Sequence, residues 1–199
     1  MIQVLAPDMT EPHEREGLAL PESNETILLA RFVRGDRAAF DRLVALHAPH
    51  VSRLAYRLLG WHGEVDDIVQ EVFLAALEHG HKFRGDTSLA GWLSAITLNK
   101  CRSHLRRRIL KLKWLRSRPH EEPSEAPADA GAIRADTSVR VRAAVRALPA
   151  RDREVIVLYY LEGRPVSEIS HMLGDSENAV DVRLHRARKK LKDLLGEFV

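Results

Sequence analysis

Residues 165–192 read PVSEISHMLGDSENAVDVRLHRARKKLK. This stretch decides the fold. Val166, Ile169 and Leu173 fall on one face of a short helix, and Gly174 ends it. Asp175 and Ser176 are turn and N-cap residues, and Glu177 places a negative charge at the positive end of a second helix. Along that helix Val180, Leu184, Ala187 and Leu191 recur at helical spacing and are expected to face inward. Asn178, His185, Arg186 and Lys189 lie on the other face, with Arg183, Arg188, Lys190 and Lys192 around them. Helix, tight turn and cationic helix make a helix-turn-helix unit of the size and charge that fit a DNA major groove.

The rest of the chain extends this reading. It has 199 residues, 45% of them hydrophobic, enough for one large or two small cores. A single cysteine, Cys101, excludes a disulfide framework and a cysteine-rich zinc site, and fits a reducing cytosol. There is no signal-peptide pattern and no apolar run near ~18 residues, so neither secretion nor membrane insertion by this chain is expected. The formal net charge is only +3, but the positive charge is concentrated. Residues 100–118 hold Lys100, Arg102, Arg106, Arg107, Arg108 and four further cations with no acid among them. Together with the C-terminal helix this gives two basic clusters, hence two expected contacts with a polyanion.

The periodicity is helical throughout, with no useful strand alternation. The expected fold class is all-α: two small helical domains joined by a flexible linker. Residues 1–22 are expected to form a flexible tail, 23–115 the first domain, 116–136 a proline- and acid-rich linker, and 137–199 the helix-turn-helix domain. Within the first domain two amphipathic helices are read before Gly60, one through Phe40, Leu43 and Val44 and one from Val51 to Leu59. The next segment, EVDDIVQEVFLAALEHG, sets an apolar stripe of Val65, Ile68, Val69, Val72 and Phe73 against Asp66, Asp67, Gln70 and Glu71. That acidic side is a solvated face or a protein dock; it suits DNA poorly. In LAGWLSAITLNKCRSHLRRR, Leu89, Trp92, Leu93 and Ile96 share one face. Asn99, Arg102 and Arg106 form a second stripe suited to single-stranded DNA, with Trp92 read as core or as a stacking surface.

Three blocks, DDIVQEVFLAAL, FRGDTSLAGWLSAITLNKCRSHLRRR and LPARDREVIVLYYLEGRPVSEISHMLGDSENAVDVRLHRARKKL, resemble in order and spacing the extracytoplasmic-function (group IV) sigma factors of the sigma-70 superfamily. The resemblance implies a sigma-2-like and a sigma-4-like domain. It implies core RNA polymerase, promoter DNA and an anti-sigma factor as partners, with duplex contacts at the −35 element and single-stranded contacts at −10. Asp66, Asp67, Gln70 and Glu71 would dock on the polymerase. The loop around residues 81–87, with Lys82 and Arg84, and the helix bearing Trp92, Asn99, Arg102 and Arg106 would hold the −10 region. Ser176, Asn178, Asp181, Val182, Arg183, His185, Arg186 and Lys189 would read −35. Two positions depart from the usual pattern. Gly91 stands where a larger residue is more usual, and Asp181, which can accept from a cytosine amino group, stands where a basic or small polar residue often reads the DNA.

No catalysis and no cofactor or metal are expected. His47 with His50, and His79 with His81, lack matching ligands. Neither GxxxxGK[ST] nor GxGxxG occurs. Cys101 is read as a buried structural residue. A stand-alone helix-turn-helix regulator is the alternative, but it leaves the acidic face and the Trp92–Arg108 helix without a task. The expected location is the cytoplasm.

Overall fold

A computed structural model describes residues 22–60, 63–83, 85, 87–116 and 137–196. Within these the secondary structure is helical. The chain falls into two compact units, one ending at Leu46 and one beginning at His47.

The first unit holds α1 (Glu22–Val33) and the start of α2 (Arg37–Leu59). The turn between them is fixed by Gly35, at φ +89°, and by Asp36, whose carboxylate accepts from the Ala39 amide at 3.2 Å as an N-cap and from Arg31 Nε at 2.8 Å. Phe32 stacks on Phe40 with ring centroids 5.0 Å apart.

α2 corrects one expectation. The two amphipathic segments before Gly60 are a single helix that runs through Pro49. Proline removes one amide donor and typically costs ~3 kcal/mol inside a helix. Here burial on both sides offsets that cost: Val51, Leu54, Ala55 and Leu59 are fully buried beyond it, each large one worth about 1.5–3 kcal/mol. Gly60, at φ +87°, then ends the helix.

In the second unit, α3 (Val65–His79) packs on α4 (Leu89–Arg116). Val65, Ile68, Val72 and Phe73 of α3 are buried as the stripe predicts, while Val69 is half-buried. A 3₁₀ turn (Gly80–Lys82) leads to the loop before α4. Ser88 caps α4, its Oγ accepting from the Gly91 amide at 3.1 Å. α4 is 28 residues long, roughly 42 Å at 1.5 Å per residue. Its first half buries Leu89, Leu93, Leu98 and Cys101. The buried hydroxyls of Ser94 and Thr97 donate to the carbonyls one turn back, Ala90 and Leu93, each at 2.7 Å, so neither hydroxyl is orphaned.

The remaining helices are α5 (Thr137–Ala147), α6 (Ala150–Ile156), α7 (Val166–Leu173) and α8 (Glu177–Gly196). α6 runs into a π-helical turn (Val157–Leu161) in which the Glu162 amide donates to Val157 O at 3.0 Å. α6 and α7 both pack on α8. Gly174 takes the left-handed conformation (φ +68°), and Ser176 Oγ caps α8 by accepting from the Ala179 amide at 3.2 Å. Val180, Leu184 and Ala187 are buried; Leu191 is half-buried.

Burial, and secondarily the charge of Glu154, push the Cys101 thiol up to about 12. The expected outcome is that a disulfide reagent at pH 8 leaves the native chain unmodified and titrates one thiol once denaturant unfolds it. Fast modification of the native chain would contradict this packing.

Candidate nucleic-acid and protein interfaces

The outer face of α3 is not simply acidic. Asp66, Asp67 and Gln70 are exposed, and on the same stripe as Asp67 and Gln70 stand Leu74 and Leu77, 52% and 47% exposed. Residues 67, 70, 74 and 77 follow helical spacing along one line. The face thus combines apolar and acidic side chains. Glu71 is different. It turns towards α4, with Lys100 Nζ at 3.5 Å and Arg107 Nη2 at 3.4 Å.

On α4 the second stripe is present but uneven. Asn99 and Arg106 are exposed. Arg102 is engaged: its Nε and Nη2 donate to the two carboxylate oxygens of Glu154 on α6, at 3.0 and 2.7 Å. That bidentate hydrogen bond raises the affinity of Arg102 for its proton. Trp92 is half-buried, and Phe83 meets it edge-on at 5.5 Å between centroids. The expected aromatic surface is therefore a pair. Lys82 is exposed at the end of the 3₁₀ turn; Arg84 lies outside the described residues.

On α8, the side chains of Asn178, Asp181, Val182, His185 and Lys189 form one exposed stripe, with Val182 58% exposed. Neighbouring cations are tied down. Arg183 lies 2.9 Å from Asp175 in an ion pair whose N–H is not aimed at the oxygen. Asp152, buried on α6, takes Lys190 at 2.6 Å and Arg186 at 3.4 Å. Arg188 donates to the Tyr160 hydroxyl at 2.7 Å and covers the Tyr159 and Tyr160 rings. Asn178, Asp181, Val182, His185 and Lys189 thus share the free stripe, Ser176 caps the helix, and Arg183 and Arg186 are held beside it.

Ion pairs and hydrogen bonds join residues 50–60 to the segment after residue 145. Arg57 Nη1 donates to Glu162 at 2.6 Å and to Leu161 O at 3.2 Å. His50 sits 3.6 Å from the same carboxylate, with Ser94 Oγ 3.0 Å from its other nitrogen, and burial lowers its pKa. Arg153 Nη1 donates to Leu59 O and Arg146 O, both at 3.2 Å. Among the described residues no group of three or more His, Cys, Asp or Glu is placed to hold a metal, and no helix is long and apolar enough to cross a membrane.

The sigma-70 region 2 family profile matches residues 43–109, and the sigma-70 region 4 profile matches residues 138–191. The extracytoplasmic-function RNA polymerase sigma factor SigM of Mycobacterium tuberculosis is 33% identical over 175 residues, covering 88% of this chain and 86% of that protein. RNA polymerase sigma factor CnrH of Cupriavidus metallidurans is 33% identical, covering 88% and 96%. The solved structure of CnrH with the cytosolic domain of CnrY superposes with a TM-score of 0.61 at 31% identity, covering 87% of this chain and 98% of that one. The sigma factor RpoE of Bartonella quintana, solved with the anti-sigma factor NepR, gives a TM-score of 0.63 at 25% identity, covering 79% and 96%.

The two acidic positions on α3 should separate in stability. Asp67→Arg changes an exposed charge and should move the unfolding free energy by less than about 0.5 kcal/mol. Glu71→Arg sets a cation against Lys100 and Arg107 and should cost about 0.5–1 kcal/mol, partly screened by salt. Urea unfolding at low salt checks this; equal midpoints for both variants would contradict the pairing of Glu71.

Proposed function

We propose a division of labour along this chain, which belongs to the extracytoplasmic-function RNA polymerase sigma factors. It binds core RNA polymerase, recognises the −35 and −10 promoter elements and promotes DNA melting for transcription initiation. The observation that supports the division is that each matched region carries exposed side chains of the chemistry its task needs.

The stripe Asp67, Gln70, Leu74 and Leu77, with Asp66 beside it, docks on the polymerase: the leucines supply apolar area and the acids select a basic counterpart. Glu71 supports that face from behind by holding Lys100 and Arg107. Asn99, Arg102 and Arg106 on α4 take unpaired −10 nucleotides, with Trp92 and Phe83 as the aromatic surface and Lys82 and Arg84 as phosphate contacts. Bases become available to this stripe only once the strands part. Binding them preferentially therefore draws the equilibrium towards the open state. On α8, Asn178, Asp181, Val182 and His185 meet base edges in the duplex −35 element, and Lys189 meets phosphate. Arg183 and Arg186, held by Asp175 and Asp152, position the helix on the backbone. The chain itself performs no bond-making chemistry; the polymerase supplies it, in the cytoplasm. An anti-sigma factor that covers these surfaces is the expected regulator, supported by the RpoE–NepR complex.

Three outcomes test the division. Leu74→Glu with Leu77→Glu should weaken core polymerase binding at least tenfold, a loss of about 1.4 kcal/mol or more, and leave melting temperature near wild type; unchanged affinity would remove α3 as the dock. Asn99→Ala should lower permanganate reactivity of −10 thymines more than it lowers duplex binding, and equal thymine reactivity would count against it. Selection from randomised −35 sequences should shift at one base pair with Asp181→Asn or His185→Ala, each costing about 1–3 kcal/mol on the preferred site. Lys189→Ala should weaken all sequences alike and reduce the salt slope by about one unit. Unchanged preference in both α8 base-edge variants would mean the helix sits differently in the groove.

A further inference from the structure

A cleft of about 360 Å³ is lined by side chains of α4, α6, α7 and α8. Small-molecule sites typically occupy about 300–1,000 Å³. Its walls carry four arginines, Arg102, Arg106, Arg151 and Arg183, and two carboxylates, Glu154 and Asp175. Both carboxylates are already paired. Glu154 accepts from two nitrogens of Arg102 at 3.0 and 2.7 Å, and Asp175 lies 2.9 Å from Arg183. Arg106 and Arg151 are left over: both are exposed, and neither side chain has a partner among the described residues.

This surplus of positive charge favours an anion. A cation would meet two unpaired guanidinium groups and no free carboxylate. The cleft also has an apolar side. Ile109 is 53% exposed there, and Leu105 and Leu173 line the same cleft. An inorganic ion would leave that apolar surface in water, whereas a flat organic body would cover it. Guanidinium groups suit both halves of such a molecule: they bind phosphate oxygens through a planar fork and stack on aromatic rings. Arg106 and Ile109 are three residues apart on α4, hence neighbours on one face of a rigid helix. Arg151 enters the same cleft from α6.

We infer that this cleft is a binding site for a nucleoside diphosphate, with Arg106 and Arg151 on the phosphates and Leu105, Ile109 and Leu173 against the base. The Arg102–Glu154 and Arg183–Asp175 pairs form its fixed walls, since each carboxylate is held and offers no repulsion that its own arginine does not cancel. Such a ligand is a small-molecule input to a chain whose other surfaces take macromolecules. The site stands on the residues of the cleft alone and does not depend on which of them meet promoter DNA.

Calorimetric titration of the full chain with ADP and with GDP tests the site. At least one of the two should bind saturably with submillimolar affinity. Arg106→Ala and Arg151→Ala should each weaken that binding about tenfold, the loss of a charge-assisted hydrogen bond. Ile109→Gln should weaken it severalfold. All three positions are exposed, so melting temperatures should stay near wild type. Lys192→Ala removes an exposed cation that does not line the cleft and should change affinity by less than about twofold. No saturable binding of either nucleotide up to millimolar concentration overturns the proposal. An equal loss with Lys192→Ala overturns it as well, because the attraction would then belong to the basic protein at large. Inorganic pyrophosphate that binds as tightly as the nucleotides overturns the nucleoside half of the assignment. A photolabel, azidoadenosine diphosphate, needs no variant to fold: the crosslink should map to residues 105–109 or to Leu173, and labelling confined to other peptides overturns the site.

Discussion

α4 carries two obligations on one helix, and the other elements are arranged around how it meets them. Its inner face must bury Leu93, Leu98 and Cys101, which holds α3 in place. Its outer face presents cations, among them the exposed Arg106. Arg102 lies at the boundary, 22% exposed in its side chain, where a lone charge would be costly. Glu154 resolves the conflict by accepting from both donor edges of the guanidinium.

The same economy runs through the helix-turn-helix. A strongly cationic α8 would be indiscriminate if every charge faced the groove. Asp152 restrains Arg186 and Lys190, Asp175 restrains Arg183, and the Tyr159–Tyr160 pair restrains Arg188. The free stripe is left with an amide, an acid, an apolar side chain, an imidazole and Lys189. Internal pairing thereby leaves a mixed polar stripe in place of bulk positive charge. On α3 the logic is inverted: Glu71 pairs with α4, and the two leucines stay exposed.

Much of this was legible in the sequence because it is local. The Gly174-Asp175-Ser176 turn, the Ser176 cap and the burial of Val180, Leu184 and Ala187 follow from spacing within a few residues. What stayed illegible has two sources. The continuity of α2 through Pro49 depends on burial of Val51, Leu54 and Leu59 beyond it, which outweighs the lost hydrogen bond, a tertiary effect that no local signal carries. The ion pairs Arg102–Glu154 and Arg57–Glu162 span 52 and 105 residues. Hence the sequence names the cations of the candidate sites but does not tell which are free. Leu74 and Leu77 were within reach: they extend the line of Asp67 and Gln70 at helical spacing, and only their neighbours' acidity drew the reading away from them.

The central claim is that this chain works as a polymerase subunit that chooses and opens promoters. Run-off transcription with purified core polymerase, on the DNA upstream of this protein's own gene, tests it most directly. The account predicts a discrete transcript that requires both the chain and core polymerase, with little duplex binding by the chain alone. Tight, sequence-specific duplex binding by the chain alone, with no transcript when core polymerase is added, would contradict it.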